Sequence, residues 1–265
     1  MSLVRSITLG QYVHRDSPVH RLDPRTKMLT SLGLMIGLMA TRDWRLLALY
    51  TLAFCLSVRL AHLPCGLATR NLRPFVWLIV LTVFAQAIFT SGAIVWRVPV
   101  LGLDMTREGL VLGLVYGVRL GLLIIFAALL TLTTSPMEIA DALDWFLRPL
   151  NRFRVPAHDL VMMLTLSLRF VPTLIDEAER IRKAQVSRGA RLTGNLRERI
   201  QGILPLVVPL FLSAFRKADD LALAMEARCY HGGPGRTSYK RLQYRAADYG
   251  VLAGVGILLV LSVAG

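Results

Sequence analysis

The sequence predicts an all-α integral membrane protein, with about five transmembrane helices plus a cytoplasmic domain of amphipathic helices inserted before the last of them. Three observations carry that expectation. Hydrophobic residues make up 54% of the 265, and the mean hydropathy is +0.53. Charged residues reach only 18%, against about 25% in an ordinary globular protein. Four stretches come close to the ~20 apolar residues that cross roughly 30 Å of hydrocarbon at 1.5 Å per residue. The 31 Lys and Arg against 17 Asp and Glu leave a net charge of +14, a large cationic face for a membrane chain. Nucleic-acid binding is disfavoured because the apolar runs leave little soluble surface for a duplex. The same hydrophobicity excludes disorder. Cys55, Cys65 and Cys229 are scattered, without a CxxC or Cys/His cluster, and indicate neither a disulfide framework nor a zinc site.

Residues 1–27 lack the apolar core of a secretory signal and carry His14, Asp16, His20 and Asp23. They are expected to form a polar arm ahead of the first span, and neither end shows a lipidation motif. Spans are expected over 44–63, 75–96, 109–134 and 246–264. A shorter one over 28–40 is extended by Thr26, Thr41 and the flanking Lys27 and Arg42. Arg5, Arg15, Arg21, Arg25 and Lys27 crowd the arm, Arg59, Arg70 and Arg73 surround the second connection, and most remaining basic residues fall between 135 and 245. The positive-inside rule makes these segments cytoplasmic and leaves the C-terminus outside. Arg119, within the fourth span, costs roughly 2.5–3.5 kcal/mol on insertion scales. It is expected to face other helices, either bonding a carbonyl or lining a transport path. Gly113, Gly117 and Gly121 form a GxxxGxxxG row on the same helix, which lets a neighbour approach closely.

Between the fourth and fifth spans three helical stretches are expected. Ser135 caps the first, with Pro136 at its first position and Glu138 in its first turn. Ile139, Leu143, Phe146 and Leu150 mark its apolar face as far as about residue 151. The second runs from about 156 to 188, with Leu164, Leu168, Val171, Ile175 and Ala178 on one stripe. Arg169 and Pro172 make it a poor crossing but a good helix lying under the bilayer or against other helices, and Gly189 is placed to cap it. The third runs from about 195 to 230, with Ile200, Leu204, Val207, Val208, Phe211, Phe215 and Ala222 mostly on one side. Pro205 and Pro209 are expected to kink it or break off its first part. Both long helices have an apolar first part, a charged second part and a terminal arginine, in Ser187-Arg188-Gly189 and Ala227-Arg228-Cys229. A rod of about 30 residues spans roughly 45 Å, enough to carry motion between a soluble motor and membrane helices. A guanidinium at its tip suits bidentate bonding in an acidic groove. The helix macrodipole alone also favours an arginine there, by about 0.3–1 kcal/mol.

Three blocks together resemble the transmembrane T component (EcfT or CbiQ-like) of energy-coupling factor transporters for vitamins and metals. They are YVHRDSPVHRLDPRTK from Tyr12 to Lys27, Ala184-Gln185-Val186-Ser187-Arg188-Gly189, and Ala224-Met225-Glu226-Ala227-Arg228-Cys229-Tyr230. The resemblance covers nearly the whole chain. It implies a non-catalytic coupling scaffold in an ABC importer of the cell (inner) membrane, taking up vitamins or transition-metal ions. The domains would be 1–134 (arm and four spans), 135–245 (cytoplasmic coupling domain) and 246–265 (last span). Two ABC ATPase subunits would dock at Ser187, Arg188 and Gly189 and at Ala227, Arg228 and Cys229. A membrane-embedded substrate-binding S component would pack on apolar coupling-helix surfaces that include Leu164, Leu168, Val171, Val207 and Phe211. ATP and Mg²⁺ would sit on the ATPases, with no cofactor or metal on this chain. ATPase closure is expected to draw the two tips together; the tips are expected to lie close to each other and clear of lipid, and tips lying apart would overturn the picture of two levers closing on each other. Ser187 and Cys229 depart from the family's Ala-Arg-Gly pattern. If the backbone at Cys229 needs a positive φ, a non-glycine there costs roughly 1 kcal/mol or more.

Other readings leave more unexplained. His231-Gly-Gly-Pro-Gly-Arg-Thr lacks the GxxxxGK[ST] order and a preceding strand, and Pro234 stands where a phosphate cradle needs amides. ATP hydrolysis is therefore assigned to separate subunits. Asp219-Asp220 has no second acidic cluster to complete a metal–diphosphate site, and Asp16, His20 and Asp23 read as a structural arm rather than metal ligands. An intramembrane lipid-phosphate enzyme, holding anionic headgroups on its basic segment, needs an acid/base or metal constellation that the sequence does not display. A conventional ABC permease subunit would not double the docking element within one chain.

Overall fold

The computed structural model describes residues 16–41, 43–62, 66, 72–98, 103–153, 157–189, 196–230 and 242–264. In chain order the described elements begin with α1 (Pro24–Ala40), α2 (Trp44–Leu60), a 3₁₀ turn (Arg73–Phe75) leading into α3 (Val76–Phe89), β1 (Ile94–Val98) and β2 (Leu103–Thr106). They continue with α4 (Arg107–Thr133), α5 (Pro136–Leu147) and its 3₁₀ extension (Arg148–Phe153), α6 (Ala157–Ser187), α7 (Leu196–Ala227) and α8 (Ala246–Ala264). The chain is a mostly helical membrane protein. Among the described residues α4 and α8 are long and apolar enough to cross a membrane, and Arg73–Phe89 is apolar but shorter. One compact unit takes Gly10–Ile139 and Leu242–Gly265, the other Ala140–Arg241. Expectations for residues 12–15, Arg42, Cys65, Arg70 and the loop 231–236 fall outside the described residues.

In the first unit the helices alternate in direction, and glycines set how closely they approach. A Cβ on Gly109 would lie 2.6 Å from the Gln86 carbonyl oxygen, and one on Gly113 would lie 2.8 Å from that of Val83. On Gly117 it would meet the Val83 side chain at 3.0 Å, whereas on Gly121 it finds only side chains at 3.9 Å. The close-approach row expected at Gly113, Gly117 and Gly121 is thus displaced by one turn, because α3 crosses α4 nearer its start. On the other side of the unit Gly33 makes room for Val255 of α8, and Gly37 lies under the fully buried Tyr50, whose hydroxyl bonds Ser262 at 3.2 Å. Leu34, Leu38, Leu47, Leu122 and Phe126 complete this core, with Phe54 edge-on to Phe126 at 6.2 Å. A second cluster, Val58, Ala61 and Leu132, brings the end of α2 beside the end of α4.

Two expectations are decided here. Residues 75–96 do not form one span: α3 stops at Phe89, and Thr90 turns extended with ψ 124°. Past Ser91 and Gly92 the β-branched Ile94, Val95 and Val98 enter a strand that pairs antiparallel with β2. The hairpin is fastened to the root of α4. Thr106 Oγ1 donates to the Thr90 carbonyl (2.7 Å) and accepts from the Gly109 N–H (3.2 Å), and Glu108 accepts from the Ala93 N–H at 2.7 Å. A helix continued past Phe89 would forfeit these bonds. Arg119 does bond an interhelical carbonyl, that of Thr41, the C-cap of α1, and its guanidinium lies 5.2 Å from the Tyr116 ring centroid. With 17 residues, α1 is only about 25 Å long, so Arg119 supplies a donor to a helix end that stops short of a full crossing.

Candidate functional site

The second unit is built on α6 and α7. Asp159 stands in the first turn of α6, favourable to the helix dipole, and α6 continues through Pro172. The expected break at Pro205 and Pro209 does not occur: α7 is continuous through both. Proline at 209 has no N–H for the carbonyl of Pro205, four residues back. Gln185 Nε2 of α6 donates to that oxygen at 3.4 Å, in place of the missing intrahelical bond. Two further contacts fix the register of the pair. Lys217 meets Glu177 at 3.4 Å, and the Tyr230 hydroxyl donates to Met162 Sδ at 2.8 Å. Residues 185, 177 and 162 therefore face 205, 217 and 230 in turn, and the helices run antiparallel.

The two arginine signatures end these helices in the same backbone shape. The Arg188 N–H bonds the Ala184 and Gln185 carbonyls (3.2 and 3.1 Å), and Gly189, at φ +87°, donates to Val186 at 3.0 Å. At the other tip the Arg228 N–H bonds Met225 (3.1 Å), Cys229, at φ +57°, donates to Glu226 (2.9 Å), and Tyr230 donates to Met225 (3.0 Å). The last two bonds are the paired closures of a Schellman cap, with Cys229 in the position that glycine usually fills. Both arginines thus sit on the last turn, followed by a left-handed residue that swings the chain away. Arg188 and Arg228 are exposed, and among the described residues neither has an ionic partner. Ser187, in place of alanine, returns its hydroxyl to the Lys183 carbonyl at 3.0 Å and leaves the turn intact.

The positive φ at Cys229 answers the condition set by its sequence: the strain is present. Nothing lies within 4 Å of a Cβ placed on Gly189, so Gly189→Ala should cost only the left-handed backbone penalty, about 1–2 kcal/mol. Cys229→Gly should return about 0.5–1 kcal/mol at the other tip. Thermal unfolding of the two variants in detergent should therefore move in opposite directions.

The tips do not lie close together, which corrects the expectation above. Tyr230 is beside Met162, so Arg228 belongs to the start of α6 while Arg188 belongs to its end, roughly 35 Å along the helix. Antiparallel pairing, unreadable from either helix alone, is the reason. It also distributes the apolar positions. Leu164, Leu168 and Val171 belong to the end of the pair that carries Arg228, whereas Val207 and Phe211 belong to the end that carries Arg188. Leu164 and Phe211 are 38% and 60% exposed, and Leu204, Val208 and Phe215 extend the exposed row on α7. Gln185 was not singled out from the sequence; two prolines four apart imply a carbonyl in need of a donor, and that signal was available.

Among the described residues no three His, Cys, Asp or Glu side chains are placed to hold a metal ion. Asp23 caps α1 through the Arg25 N–H at 2.9 Å, and His20 Nδ1 pairs with the Ser17 hydroxyl at 2.6 Å. A family model described as "Cobalt transport protein" (CbiQ) matches residues 15–239. The chain is 47% identical over 266 residues to the energy-coupling factor transporter transmembrane protein EcfT of Thermanaerovibrio acidaminovorans, covering 100% of this chain and 97% of that one. It is 44% identical to EcfT of Acidaminococcus fermentans (93% and 91% covered) and 39% identical to EcfT of Bacillus subtilis (98% of each). With exposed arginine caps on two long helices and relatives this similar over more than nine-tenths of their length, the chain belongs to the EcfT/CbiQ family of transmembrane components of energy-coupling factor transporters.

Proposed function

We propose that this chain works as a pair of opposed levers, each arginine tip engaging one ATPase subunit. As a member of its family the chain is the transmembrane subunit of an ECF-type ABC transporter. It is not an enzyme; it couples ATPase motion to substrate uptake, and its partners are ABC ATPase subunits and a membrane-embedded S component. The observation that carries the lever reading is the repetition of one exposed cap, arginine followed by a left-handed residue, at the two ends of an antiparallel pair. Tips roughly 35 Å apart along the pair rule out two levers that close on each other, and the reading that remains is one tip for each ATPase subunit. ATP and Mg²⁺ belong to those subunits, and the vitamin or transition-metal ion is selected by the S component on the apolar faces around Phe211 and Leu164.

The proposed topology has five spans, carried by α1 to α4 and α8, with the N-terminus and residues 135–245 on the cytoplasmic side of the inner membrane. Its support is the placement of helix ends together with charge. The Asp23 N–H donates to Asp248 Oδ1 at 3.0 Å, so α1 and α8 begin on the same side, and α2 and α4 end there. That side bears Arg21, Arg25 and Lys27, and positive charge is retained in the cytoplasm. A thiol at each tip tests the whole reading: native Cys229 at one and Ser187→Cys at the other. With Cys55 and Cys65 replaced by serine, a short thiol-to-amine crosslinker should join each to an ATPase subunit, and an impermeant maleimide applied to intact cells should label neither. Labelling from outside, or tips that capture no ATPase, would refute the assignment.

A further inference from the structure

We propose that Lys27 is a positioning residue for energy coupling, its buried ammonium pinning the corner between α4 and α5 to the root of α1, so that α5 leaves its unit from a fixed point. This inference rests on the coupling role of the chain. The Lys27 side chain is 4% exposed. It donates to the His20 carbonyl at 2.9 Å and the Thr133 carbonyl at 3.1 Å, and pairs with Glu138 Oε2 at 3.7 Å. An ammonium has three N–H donors, and here three oxygens on three segments face it: the turn ahead of α1, the last residue of α4, and the first turn of α5. The Thr133 carbonyl is one that α4 cannot satisfy internally.

Glu138 is used twice. Its Oε2 also accepts from the Ser135 N–H at 3.2 Å, while the Ser135 hydroxyl accepts from the Glu138 N–H at 3.3 Å, closing a capping box. The start of α5 and the root of α1 are therefore held through one carboxylate. Asp248 draws in α8, accepting from the Asp23 N–H at 3.0 Å and the Arg245 N–H at 2.7 Å. Lys27 precedes the apolar run of α1, and burying its ammonium carries a desolvation penalty that the Glu138 carboxylate opposes. Retaining a charge against that penalty is weak stability design, and fixing a geometry is the better-attested use of such a group. Two residues, Thr134 and Ser135, separate α4 from α5, so with this pin in place motion entering along α5 bears on α1, α4 and α8 together rather than being absorbed at a loose corner.

The test uses the complete transporter, with ATPases and S component, in liposomes. Lys27→Met removes the donors; Glu138→Gln removes the charge but still closes the capping box, which protects against mere unfolding of α5. In both, ATPase co-purification and ATP hydrolysis should stay within about twofold while substrate taken up per ATP falls about tenfold. The double variant should fall no further than either single one. Hydrolysis and uptake falling in the same proportion in Glu138→Gln, or an unchanged ratio in both, would overturn the proposal. Failure of the docking assignment at the tips would appear instead as full ATPase co-purification in the arginine variants, which leaves this ratio as an independent measure.

Discussion

Replacing Arg188 and Arg228 together by alanine is expected to leave the chain inserted in the membrane and to strip the ATPases from it. Both guanidinium groups are exposed and without ionic partners among the described residues, so their removal opens no cavity and orphans no internal carboxylate. The loss falls on the partner side. A charge-assisted hydrogen bond contributes about 1.5–3 kcal/mol, so each single substitution should weaken ATPase association roughly ten- to hundredfold. The tips sit at opposite ends of the helix pair and share no contact, so the two losses should add. Arg188→Lys discriminates charge from shape: a lysine keeps the positive charge but not the planar fork. Coupled uptake should fall in that variant too, and normal uptake would reduce the role of Arg188 to simple charge. A double alanine variant purified with its full complement of transport-coupled ATPase would end the docking assignment.

What was legible in the sequence was local. The limits of α8 match the span expected over 246–264, an apolar run whose one charged residue is Asp248 in its first turn, and Ser135-Pro136 with Glu138 announced the start of α5 through a cap that the structure forms atom by atom. Arginine followed by glycine marked the tip of α6 because both the charge and the left-handed turn are written into two adjacent residues. Features that depend on a distant partner were not legible. Ile94, Val95 and Trp96 are as apolar as the helix before them, and only the bonds of Thr106 and Glu108 to that segment make it a hairpin. Gly109 rather than Gly121 touches α3 because of where α3 crosses, which no spacing within α4 encodes. The separation of the two tips has the same origin. Each helix reads identically as an apolar half followed by a charged half, and only the Gln185–Pro205, Glu177–Lys217 and Met162–Tyr230 contacts reveal that one is reversed against the other.

That reversal makes a second strong prediction possible, on the apolar half of α7. Leu204, Val208, Phe211, Leu212 and Phe215 are all more than half exposed, a continuous row that nothing in its own unit covers among the described residues. Surfaces of this size on a protein mark a partner or lipid, and the two occupants respond differently to a charge. Burying a phenylalanine against a protein contributes about 1.5–3 kcal/mol, and a carboxylate placed in such an interface costs several kcal/mol more because it is desolvated without a counter-charge. Phe211→Asp should therefore abolish co-purification of the S component while both ATPases remain bound, since neither arginine tip nor its cap is altered. A lipid-facing row would behave otherwise: the aspartate would turn toward headgroups or water, membrane incorporation would drop, and the S component would still be recovered with whatever protein was inserted. Retention of the S component by Phe211→Asp would remove this face from the transport interface. Its loss together with the ATPases would mean that the substitution had disturbed the α6–α7 pair itself, and the ion pair of Glu177 with Lys217, about 1.7 turns along α7 from Phe211, is where that disturbance would first be measured.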